Sequence, residues 1–176
     1  MKRSRTAWPE TDMEGVFGTQ LQARKDLVTP RVLNAAQYAE QWTKSKYKRK
    51  AFSEDFPELY TKKNERVRSK SEILIANALA DSGVPYMYEH PMKLKNGNII
   101  YPDFRVLNVG KRKEYIWEHL GQMDCGIYAE NALNRIFNYE DSGYYLRKHI
   151  IISWESSTRP LNTKTINQLI KQYLIC

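Results

Sequence analysis

The 176-residue chain reads as an α/β domain, and three observations predict it. The run SKSEILIANALA has the three-to-four-residue apolar spacing of an amphipathic helix. An Asn96-Gly97 pair between two strand-like runs is a strong hairpin signal. The short apolar runs EYIWEHL and LRKHIIISW have the length and composition of buried strands.

Taken in order, residues 1–20 carry Pro9, Gly15 and Gly18 without a clear period and read as a loose arm. Residues 31–50 read as a helix, with Val32, Ala35, Ala36, Tyr38, Ala39 and Trp42 as its apolar stripe and Thr29-Pro30 as its cap. Pro57 and a polar stretch lead to a helix over 69–82, closed by Gly83. Strands follow over 84–94, 98–107 and 114–120, the last two joined by the turn Gly110-Lys111-Arg112-Lys113. A helix is expected over 124–138, with Asp124 as its N-cap and an apolar stripe through Ile127, Tyr128, Ala132, Leu133, Ile136 and Phe137. A strand over 146–154 and a helix over 163–174 complete the order α-β-β-β-α-β-α. The natural division is a basic N-terminal arm and helix, residues 1–64, followed by a core, residues 65–176.

Net charge is +8 and the pI near 9.4, and the excess is polarised. Residues 1–50 hold 11 Lys/Arg against 5 Asp/Glu, while residues 51–176 hold 17 against 15. Such an imbalance points to a polyanionic partner, either nucleic acid or an anionic surface. Lys44, Lys46, Lys48, Arg49 and Lys50 exceed what favourable helix-dipole chemistry requires and are read as nucleic-acid contacts. Arg66, Arg68 and Lys70, which lead into the next helix, are candidates for the same role or for plain surface charge. The sequence has no apolar run of membrane-spanning length and no secretory leader at its start, and Cys125 and Cys176 are too few for a disulfide framework. A cytoplasmic protein without membrane association is expected.

Three acids stand out against this background. Glu72 lies on the predicted helix, Asp103 follows Pro102 in a strand-like run, and Glu118 sits inside YIWEHL. An acid in a covered strand is costly unless a cation compensates it. Should the second and third strands pair, Asp103 and Glu118 converge, and carboxylate oxygens suit hard ions such as Mg²⁺ or Mn²⁺. The plainer reading makes Asp103 a turn residue and Glu118 a surface carboxylate.

The segments RSKSE, YPDF and WEHLGQMD, in that order, resemble the PD-(D/E)xK nuclease superfamily, in particular a compact branch found in bacteria and phages. The resemblance covers roughly residues 65–174. It implies a restriction-endonuclease-like αβββαβ core with a mixed central sheet, preceded here by the basic helical extension. It also implies a Mg²⁺- or Mn²⁺-dependent endonuclease acting on duplex or branched DNA, with a homodimer possible. Asp103 and Glu118 take the positions of the metal ligands, Glu72 that of the helix acid, and the His119 carbonyl that of the backbone ligand. The chain departs from the pattern at Leu120, where the family has a lysine. Gln122, the His119 imidazole and Lys70 are the candidate substitutes. Without a substitute, the expectation is a nucleic-acid-binding protein on a nuclease scaffold that cuts slowly or not at all.

Overall fold

A computed structural model describes residues 33–175, so the predicted arm over 1–20 and the cap at Thr29-Pro30 lie outside the described residues. Packing divides the chain into Met1–Asn34 and Ala35–Cys176, and every element below belongs to the second unit. Helix α1 spans Ala35–Thr43, followed by a small hairpin of β1 (Leu59–Tyr60) and β2 (Arg66–Val67). Then come α2 (Lys70–Asp81), β3 (Tyr86–Tyr88), β4 (Met92–Lys93), β5 (Ile99–Ile100), β6 (Phe104–Asn108) and β7 (Lys113–Leu120). Helix α3 (Gly126–Asp141), β8 (Ile150–Trp154) and α4 (Thr163–Tyr173) complete the order.

The result is a mixed α/β fold around a four-stranded sheet in the order β3-β6-β7-β8. The first two pairings are antiparallel, as short connections permit, and β8 lies parallel to β7 after the crossover through α3. Strand β7 is central and buried along most of its length. Its period-two alternation sends Tyr115 and Trp117 to the main core, with Phe104, Val106, Ile75, Leu79, Ile166 and Ile170. Ile116 faces the opposite way, into a smaller cluster with Leu94, Ile150 and Tyr139. Helices α2 and α4 therefore cover one face of the sheet, and α3 meets the other through Tyr139.

Helix α2 begins where the sequence said it would. Ser69 has extended backbone and its hydroxyl accepts the Glu72 N–H at 3.1 Å, and the helix ends before Gly83, whose φ of +65° suits a residue without Cβ.

Helix α1 stops at Thr43, well short of residue 50. From Ser45 the chain has no regular element and its burial alternates, with Tyr47 and Arg49 half-buried and Lys46, Lys48 and Lys50 exposed. Tyr47 donates its hydroxyl to the Tyr88 carbonyl at 2.9 Å, and Arg49 pairs with Glu65 at 3.0 Å. These long-range partners favour a non-helical strap over the local helical preference.

The two long hairpin strands expected around Asn96-Gly97 are each broken at one level. Strands β3 and β4 are separated by Glu89-His90-Pro91, and β5 and β6 by Tyr101-Pro102-Asp103. Two prolines, neither with an N–H to donate, interrupt the ladder on both sides. The Glu89 N–H still reaches the Asp103 carbonyl at 3.1 Å, and Glu89 takes a left-handed φ of 48°.

Of the apolar stripe expected on helix α3, Ala132 is buried and Tyr128 and Ile136 half-buried, whereas Ile127, Leu133 and Phe137 are exposed; the inward face is instead completed by Tyr139. Its N-cap is Cys125; Asp124 instead accepts the Ser157 N–H and hydroxyl from across the loop.

Trp117 has no exposed surface, and its Nε1 donates to Ser153 Oγ at 2.9 Å. Trp117→Ala is expected to destabilise the fold by about 3–5 kcal/mol. Urea unfolding followed by circular dichroism measures this, and a loss well under that range would show that the main core does not hinge on this side chain.

Candidate active site

The two strands that carry Asp103 and Glu118 are direct neighbours. Phe104 faces Trp117 in the β6–β7 register, so one step further the antiparallel ladder sets Asp103 beside Glu118. The ladder has opened here because of Pro102, and the Asp103 carboxylate fills the gap by accepting the His119 N–H on Oδ2 at 2.7 Å. An aspartate after a proline at a strand break is thus fixed by backbone, not by another side chain.

Glu118 is 1% exposed, yet it is fully partnered. Arg135 Nη1 donates to Oε2 at 2.8 Å, and the Tyr139 hydroxyl donates to Oε1. Both donors come from α3, four residues apart and hence on one helical face. Glu72 enters from α2, where Oε2 accepts the Arg68 N–H and the Tyr88 hydroxyl, each at 2.7 Å. Arg68 is held in turn by Glu89, with Nε at 2.5 Å from Oε1.

Burial pushes the Asp103 carboxyl well above the ordinary value of 3.8, and the negative charges of Glu118 and Glu72 push it further. The His119 N–H and the more distant Arg135 charge oppose that rise without cancelling it. Glu118 is likewise raised by burial, and Arg135 and Tyr139 pull it partly back. The three acids accordingly lie close enough to sense one another, and the cluster carries more negative charge than its surroundings neutralise. Asp103 Oδ1 and Glu72 Oε1 have no hydrogen bond among the described residues. All-oxygen donors with surplus negative charge match the chemistry of a hard divalent cation. As the side chains stand, no group of three or more His, Cys, Asp or Glu residues among those described closes around one metal position.

The His119 side chain lies on the other face of β7. The Ser153 hydroxyl accepts from Trp117, which leaves its own proton for His119 Nδ1 at 3.0 Å. The imidazole proton then belongs on Nε2, which lies 3.2 Å from Glu155 Oε1 without an aligned hydrogen bond. Burial pushes Glu155 up, but the Leu161 N–H, the Ser71 hydroxyl and His119 together bring it below its ordinary value. So the backbone of His119 serves the acid pair, while its ring ties β7 to β8 and α2.

Gln122 does not continue the Glu118 face, because β7 ends at Leu120 and the chain turns; Gln122 is exposed, and its carbonyl accepts from Cys125. Leu120 is 5% exposed and pairs in register with Trp154, so the position of the family lysine is apolar. Lys70 is exposed on the first turn of α2. Among the basic residues, Lys44 pairs with Glu40, and Lys46, Lys48 and Lys50 are exposed. Arg49, Arg66 and Arg68 are turned to internal partners: Glu65, the Phe56 carbonyl, and Glu89 with the Lys50 and Ala51 carbonyls.

Sequence reasoning passed over Arg135 and Glu89, and it read Tyr139 as a core or base-stacking tyrosine without its bond to Glu118. A signal existed for Arg135: Tyr128, Ala132, Arg135 and Tyr139 recur at helical spacing, a stripe broken by a cation where an apolar residue belongs. No protein-family model, curated protein or solved structure matches the chain.

Asp103 is easier to protonate folded than unfolded, so its contribution to stability is complete below about pH 3.9 and fades as pH rises through its raised folded value. In EDTA, the stability difference between wild type and Asp103→Asn should therefore move against wild type from acid to neutral pH. Urea unfolding at a series of pH values measures this, and a pH-independent difference would remove the uncompensated charge.

Proposed function

We propose that this chain is a metal-dependent nuclease that hydrolyses DNA phosphodiester bonds as an endonuclease, on a restriction-endonuclease-like scaffold. The observation that carries the reading is the pairing of Asp103 with Glu118 across adjacent strands, with the charge of Glu72 felt by both. The order of α2, the antiparallel trio β3, β6 and β7, then α3 and the parallel β8 supports it, since this is the αβββαβ succession that the motifs imply.

Asp103 and Glu118 would hold Mg²⁺ or Mn²⁺ with Glu72 in support, and such an ion polarises a phosphate oxygen and acidifies bound water. The chain's own residues prepare that site. The His119 N–H sets the Asp103 carboxylate, leaving Oδ1 open. Tyr139 and Arg135 orient Glu118 from α3, and Tyr88 and the Arg68 N–H orient Glu72. These contacts fix where each carboxylate starts, and an entering ion has to draw the acids together and compete with Arg135 and Tyr139 for the Glu118 oxygens. Arg68 also bonds the Lys50 and Ala51 carbonyls, which ties the strap to the residue that bonds Glu72. The exposed Lys46, Lys48 and Lys50 on that strap would suit contacts to the phosphates of a bound strand.

A second reading, a nucleic-acid-binding protein that does not cut, has its own support. Both Glu118 oxygens are engaged by α3, and Leu120 places no cation on the strand.

With Mn²⁺ present, the protein is expected to nick or linearise supercoiled DNA, and EDTA should stop it. Asp103→Ala and Glu118→Ala should each lose cleavage while keeping a cooperative melt. Cleavage retained by either variant would remove that acid from the mechanism. Salt-sensitive DNA binding with no products on supercoiled, single-stranded or branched DNA would favour the second reading.

A further inference from the structure

We propose that Arg135 is a phosphate-binding residue of the acid cluster, the cation that Leu120 fails to supply from the strand. This inference rests on the nuclease reading for its substrate, a nucleic-acid phosphate, but its geometry stands independently. Arg135 approaches from α3, bonds Glu118 Oε2 at 2.8 Å, and also acts on the charge of Asp103. It is the cation in direct contact with Glu118. A guanidinium carries five N–H donors, and the contact with Glu118 uses one of them. The Glu118 side chain is 2% exposed while that of Arg135 is 36% exposed, so the pair has a buried end and a wet end.

That division has a chemical consequence. One N–H of the planar group is held by a carboxylate, and the other four make no hydrogen bond among the described residues. Anchoring the group at one donor lowers the entropy lost when the others capture an oxyanion, and the fork geometry suits phosphate oxygens. A lysine two residues after Glu118 would act from the strand itself. Here that position is packed beside Trp154, and the charge arrives from the facing helix. Tyr139, one turn further along α3, holds the other Glu118 oxygen and fixes the helix at the height that brings Arg135 to the cluster.

A purely structural arginine would neutralise Glu118 and do nothing more, so the test must separate the two roles. Full-length wild type, Arg135→Ala, Arg135→Lys, Glu118→Gln and Glu118→Gln/Arg135→Ala are compared for binding a short DNA duplex in EDTA across a salt series. In the Glu118→Gln background the carboxylate that Arg135 contacts directly is gone, so the double variant stays informative even if Arg135→Ala alone unfolds. Removing Arg135 should weaken binding about tenfold and lower the log–log salt slope by about one in that background, and Arg135→Lys should keep most of the slope. Affinity and slope unchanged in the Glu118→Gln background would overturn the proposal, since the arginine would then serve Glu118 alone. A wild type that binds no DNA would overturn both this proposal and the nuclease reading. Cleavage in Mn²⁺ is measured in parallel. A lowered slope with no wild-type cleavage supports Arg135 and sinks hydrolysis, whereas cleavage with an unchanged slope does the reverse.

Discussion

The structure turns on the burial of a carboxylate in its central strand. Glu118 occupies a β7 position whose neighbours on the same face are Ile116 and Leu120, and it is almost wholly removed from water. An isolated carboxylate there would be protonated or would exclude the fold. Arg135 and Tyr139 meet that demand from α3, so the helix that crosses from β7 to β8 is held to the sheet partly by the charge it must satisfy. The same demand accounts for the poor apolar pattern of α3. The face turned to the sheet meets acids as well as hydrocarbon, and Ile127, Leu133 and Phe137 point elsewhere.

Around that residue the two faces of the sheet are covered differently, by α2 and α4 on one side and by α3 on the other. The face beneath α2 and α4 holds Trp117, Phe104, Ile75 and Ile166, with the Trp117–Ser153–His119 chain of hydrogen bonds joining β7 to β8. At the end of the sheet, the proline-broken hairpin releases Asp103 from the ladder, and the His119 N–H catches its carboxylate. Histidine at 119 thus serves two purposes, backbone toward the acids and ring toward the core. The Asp103 carboxyl is consequently harder to ionise, first because it is buried and then because Glu118 and Glu72 place negative charge beside it.

Helices α2 and α4 and the core of β7 were legible in the sequence, because each has an apolar period long enough to outweigh local noise and α2 carries its own cap in Ser69. The Asn96-Gly97 turn was legible for the same local reason, since Gly97 takes a φ of +88° there. The end of α1 was not. Ser45 to Lys50 has acceptable helix formers throughout, and it leaves the helix because Tyr88 and Glu65, far along the chain, receive Tyr47 and Arg49. Nor was the common level of the two hairpin breaks, which depends on the register that sets Glu89-His90-Pro91 across from Tyr101-Pro102-Asp103.

By itself the sequence determined the order of elements, the polarised basic charge and the three acids with their spacing, since composition and short-range periodicity are written residue by residue. Tertiary structure alone decided that Asp103 and Glu118 stand side by side, that Arg135 and not Gln122 or Lys70 faces Glu118, and that Arg66 and Arg68 turn to internal partners. The reason is physical: a side chain's charge environment is set by strands and helices distant in the chain, and no local pattern encodes which of them will arrive.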